Sequence, residues 1–139
     1  MRGPQLGLLA LSAFFGLGAV IALLTTIALS APGSALEPMW RLNPHAHVVF
    51  QAMGSWAITL MSVVTGACAL SAVGLWIRAR WGHRLAVALL TVNLLGDATN
   101  VVVRGDLRLL IGLPIAAALI AYLLSAAVRA QFVKAEAAA

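Results

Sequence analysis

LGLLALSAFFGLGAVIALLTTIAL, residues 6–29, runs for 24 residues without a charge. About 20 apolar residues reach across the hydrocarbon core of a bilayer, so the stretch predicts a membrane-spanning helix. It follows Arg2 and precedes SAPGSA at 30–35, which imitates a signal-peptide cleavage site. A signal core has only roughly 7–15 apolar residues, and this run is too long for one. The whole composition points the same way. Of 139 residues, 63% are hydrophobic and 9% charged, against roughly 45–50% and 25% in soluble domains. A soluble fold of this length leaves too much area exposed to hide that much apolar surface. The expectation is one all-α domain, a polytopic membrane protein.

Three more runs complete an antiparallel bundle of four transmembrane helices, with spans near 6–29, 44–77, 85–103 and 107–128. Between the first two lies APGSALEPMWRLNPHAH, where Pro32, Pro38 and Pro44 break any long helix. Trp40 suits the headgroup region. Asn43 is read as a cap and Pro44 as a first-turn residue, where a missing N–H does no harm. The second span is longer than a perpendicular crossing needs and should tilt or project outward. RARWGHR, 78–84, is a short basic turn, and Asp106 is placed to cap the fourth span. Pro114 predicts a bend near 110–114. Residues 129–139 are read as a frayed or interfacial cytoplasmic tail.

The nine basic residues, against four acidic ones, sit mainly at the ends of these runs. With four spans, Arg2, Arg78, Arg80, Arg84, Arg129 and Lys134 share one side; Arg41, Arg104 and Arg108 share the other. That bias predicts both termini in the cytoplasm and 30–43 as an extracytoplasmic loop. It also accounts for the net charge of +5 without nucleic acid, which is not expected as a partner.

One acid stands apart, because Asp97 lies inside the third run. Asn93, Asp97, Asn100 and Arg104 are spaced by four, three and four residues, which aligns them on one helical face. Asp97 falls about 10 Å below Arg104 along the axis. A charge at that depth faces a bundle interior or a wet cavity. The second run offers His47, Gln51 and Ser55 at four-residue spacing. The two stripes predict an outward-opening polar crevice between the second and third spans. A structural alternative stands beside it: a protonated Asp97 bonded to Gln51, Ser55 or Asn100 merely joins helices. Thr91 and Thr99 need no role beyond bonding to their own helix.

His45 and His47 form an HxH pair whose imidazoles could hold a metal or serve as a haem ligand. Residues two apart do not share a helical face, and a structural zinc site takes four ligands. Interfacial hydrogen bonding is therefore the simpler reading, and for His83 as well. No CxxC, HExxH or glycine-rich phosphate loop is present. Ser55 and His47 are eight residues apart, poor spacing for a catalytic dyad. Cys68, the single cysteine, cannot form an intrachain disulfide. Small residues at four-residue spacing, Ser12 with Gly16, Ser62 with Gly66, and Ala117, Ala121 and Ser125, allow close helix packing or an oligomer face.

The stretch from NLLGDATN through IGLPIAAALIAYLLSAAVRAQF, within residues 93–134, resembles a broad group of uncharacterised bacterial four-helix membrane proteins. The resemblance implies a bacterial cytoplasmic (inner) membrane and no particular activity. The small multidrug exporters also have four helices, but they depend on a glutamate in the first, and here that helix has no acid. The expected function is a small non-catalytic membrane subunit or binding protein, in lipid and in a homo-oligomer or larger complex. Two alternatives are kept. One is a proton- or ion-coupled transporter or channel component that uses Asp97. The other is a haem, pigment or metal protein that uses His47 or His45. No motif specifies a cofactor.

Overall fold

The structure, a computed structural model, describes residues 3–105 and 110–137, apart from the side chains of Pro4 and Glu136. Every regular element among the described residues is helical: α1 Gly3–Ser30, a 3-10 turn Glu37–Arg41, α2 Pro44–Met53, α3 Ser55–Trp76, α4 Arg80–Arg104, α5 Gly112–Leu124 and α6 Ala126–Ala137. Three of these, α1, α3 and α4, are long and apolar enough to cross a membrane. The bent pair α5 and α6 makes a fourth span if it is counted as one. Large apolar side chains such as Leu17, Val63, Val92 and Val102 stand exposed along them, as lipid-facing helices require. Asp106, expected as a helix cap, lies outside the described residues.

Three boundaries differ from the sequence reading. The second run does not form one tilted helix but breaks at Gly54, whose φ of 59° and ψ of −134° suit glycine alone. The fourth run bends at Ser125 rather than near Pro114, with α6 turned 50° from α5. Pro114 sits in the first turn of α5, where its missing N–H would have had no helical partner anyway. Residues 129–137, read as a tail, belong to α6.

The chain divides into two compact units, residues 14–69 and residues 1–13 with 70–139. In residues 14–69, Asn43 caps α2 by accepting the Ala46 N–H at 3.1 Å, as its place before Pro44 predicts. Trp40 is buried there, with its ring against His47 and Phe50.

In the other unit α3 turns back into α4 through a Schellman cap. The Ala79 N–H reaches the Gly74 carbonyl at 2.8 Å and Arg78 N–H the Leu75 carbonyl at 3.2 Å. Arg78 takes the left-handed position, φ 57°, that glycine usually fills. Beyond the turn Gly74 and Gly82 pack backbone to backbone, leaving no room for a Cβ on either. Ser12 of α1 donates its hydroxyl to the Ala72 carbonyl at 2.8 Å, and Gly7 packs under Tyr122 of α5. Leu75, Ala86, Leu123 and Val128 are almost wholly buried in this unit.

Candidate functional site

α4 sets the expected polar stripe on its surface because the helix is continuous from Arg80 to Arg104. The Asn93 amide donates to Oδ2 of Asp97 at 3.2 Å, one helical turn away. Asn93 is exposed, while Asp97 and Asn100 are half-buried. Arg104 closes the last turn, where a cation complements the helix's negative end, and Gly105 ends it at φ 66°. Thr91 and Thr99 each bond to the carbonyl four residues back at 2.8 Å, as anticipated for threonines in an apolar helix.

One neighbour of Asp97 was not foreseen. A Cβ added to Gly112, the first residue of α5, would lie 3.6 Å from the carboxylate oxygen Oδ2. The preceding residue, Ile111, supplies no side-chain cap to α5. The carboxylate therefore stands beside the first turn of α5, at the positive end of that helix's dipole. The sequence offered no sign of this pairing, because it placed the helix start at residue 107 rather than 112.

The second stripe is interrupted, because the break at Gly54 divides its residues between α2 and α3. His47 and Gln51 lie on α2, and Ser55 opens α3 beyond the break. The Gln51 amide approaches Nε2 of His47 at 3.1 Å, and with the amide as donor the ring proton sits on Nδ1. The His47 ring lies flat on Trp40, centroids 4.5 Å apart and planes 8° from parallel. The Ser55 carbonyl accepts from the Thr59 hydroxyl at 3.4 Å. Glu37, Trp40, Arg41 and His47 border an open depression of about 840 Å³ in the same unit. Among the described residues no three His, Cys, Asp or Glu side chains gather as a metal would need, so His45 and His47 find no third ligand there.

His83 has more to do than its place in a basic turn suggested. Its Nε2 lies 2.8 Å from the Leu123 carbonyl, and its ring packs on Phe132 with centroids 4.9 Å apart. The break at Ser125 takes that carbonyl out of the regular helix ladder, and the imidazole N–H replaces the lost donor.

Comparison with protein-family models, curated proteins and solved structures finds no match to this chain.

Proposed function

We propose that the protein is a small non-catalytic subunit or binding protein of a membrane, using the Asn93–Asp97 face of α4 to engage a partner helix. The observation that carries this reading is how little of α4 the chain itself covers around these polar groups. Only 11% of the most apolar 18-residue stretch of α4 is buried within the chain, yet the stretch carries an amide and a carboxylate. Lipid tails cannot satisfy either group, and another membrane helix can. The partner is a second copy of the chain or another member of a larger complex. The membrane is read as a bacterial inner membrane, crossed four times by an antiparallel bundle with both termini inside. The end-of-run basic residues and the resemblance of residues 93–134 support that placement.

Gentle solubilisation and purification, with mass measured in the detergent micelle, tests the assignment. The parent is expected as an oligomer or with a stoichiometric partner, and Asn93→Leu with Asp97→Leu should release a folded monomer. A monomeric parent, or a variant that stays assembled, would remove the support for a subunit.

A second reading rests on the carboxylate itself, which is only half-buried beside α5. For a coupled transporter, Asp97 would be the group that gains and loses a proton. Liposome flux abolished in Asp97→Asn, in a protein that purifies alone, would favour that role.

A further inference from the structure

Where α4 begins, it and α6 border a hollow of about 500 Å³, well away from the Asp97 stripe. Its rim is cationic: Arg80 and Arg84, one turn apart on α4, and Arg129 on α6. Buried Phe132 and half-buried His83 form its inner wall, and exposed Leu124 and Val133 continue it outward. The wall is firmly set, because His83 is held both by the Leu123 carbonyl and by the Phe132 ring. A second hollow, about 620 Å³, adjoins it and is lined by Arg78, Trp81 and again Arg80 and Arg84.

Three guanidinium groups bordering one hollow suit a multivalent anion, because their planar forks match phosphate oxygens. The position narrows the choice. The apolar part of α4 starts at Leu85, immediately beyond the cluster, and exposed Trp81 marks the depth of headgroups. α6 turns 50° away from α5 at this same end, which opens the hollow beside the span. A free anion would use the arginines and leave the apolar wall idle, whereas a lipid uses both.

We propose that this hollow binds the phosphate of an anionic phospholipid, held by Arg80, Arg84 and Arg129, with the acyl chains lying along Leu124 and Val133. Because Arg80 and Arg84 line both hollows, a headgroup with two phosphates occupies the pair and binds more tightly than one with a single phosphate.

The test uses the full chain in a zwitterionic detergent, with lipid binding read by native mass spectrometry and thermal unfolding. Cardiolipin and phosphatidylglycerol should bind and raise the melting temperature, cardiolipin at lower concentration. Phosphatidylcholine and inorganic phosphate should do neither. Each Arg→Gln change at 80, 84 or 129 should weaken binding about fivefold, roughly 1 kcal/mol. Arg41→Gln, remote in sequence from the hollow, should leave it unchanged, and circular dichroism checks that every variant is folded. Parent-like binding by the Arg84→Gln/Arg129→Gln double variant would overturn the proposal. So would equal weakening by Arg41→Gln, which would mean diffuse charge attraction. Inorganic phosphate binding as tightly as the lipids would make the occupant a free anion and defeat the lipid assignment.

Discussion

Ser12 and Ser71 place the same hydroxyl in buried positions and give it different fates. Ser12 donates to the Ala72 carbonyl at 2.8 Å, tying α1 to α3. Ser71, fully buried, has no hydrogen-bond partner among the described residues. A satisfied bond between membrane helices contributes about 0.6 kcal/mol on average, with a maximum near 1.7. A buried hydroxyl without a partner is a desolvation loss that alanine removes. Ser12→Ala should therefore lower the melting temperature in detergent, and Ser71→Ala should leave it unchanged or raise it. The opposite order would mean that Ser12 does not hold α1 to α3 through this bond. Neither role was legible beforehand, because a serine in an apolar run signals only small size. The Asp97 stripe was more readable, since helical spacing alone aligns Asn93, Asp97, Asn100 and Arg104. Its bonding was not. Among the described residues Asp97 bonds to Asn93 on the same helix, whereas the structural alternative named Gln51, Ser55 or Asn100.

Helices in this chain end where backbone geometry demands it, and hydrophobicity does not record that. The run 44–77 announced a problem through its length, which tilt could have absorbed; the chain instead breaks it at Gly54. Nothing in the apolar pattern distinguishes Gly54 from Gly66, because periodicity reports faces and not dihedral angles. Pro114 misled in the other direction, since a proline in a first turn bends nothing. Glycine chemistry separates these cases and can be tested on α4. At Gly82 an added Cβ would collide with the Gly74 backbone, so the α3–α4 hairpin must open. At Gly96 an added Cβ meets nothing within 4 Å. Overpacking of this kind typically destabilises by about 1–3 kcal/mol, whereas Gly→Ala in an open helix position gains up to about 1 kcal/mol. Gly82→Ala should therefore unfold at distinctly lower temperature than the parent, and Gly96→Ala at the same or a higher one. Thermal unfolding of the two purified variants decides it, and a tolerated Gly82→Ala would mean that the hairpin is not packed backbone to backbone.

At the scale of the whole molecule, orientation is the property on which the remaining assignments depend. The membrane character was plain from the apolar excess, and the helices bear it out. Orientation rests on charge alone: with four spans, six basic residues would share the side of Arg78, Arg80 and Arg84 against three on the other. Positive residues near span ends are retained in the cytoplasm, and short loops feel this most strongly. The turn joining α3 to α4 is such a loop, so it should be cytoplasmic and the loop before α2 external. If so, the arginine hollow lies in the inner leaflet, where anionic lipid is enriched and basic residues near the surface are drawn to it. Cysteine labelling in a Cys68→Ala background measures this directly with a membrane-impermeant reagent. Leu42→Cys and Val103→Cys, both at exposed positions, leave Gly105 and its positive φ undisturbed. Both should label in intact cells, and Ala79→Cys should label only after permeabilisation. Labelling of Ala79→Cys from outside would invert the protein and place its arginine hollow in the outer leaflet. Labelling of Leu42→Cys without Val103→Cys would break the alternation, and with it the four-span bundle.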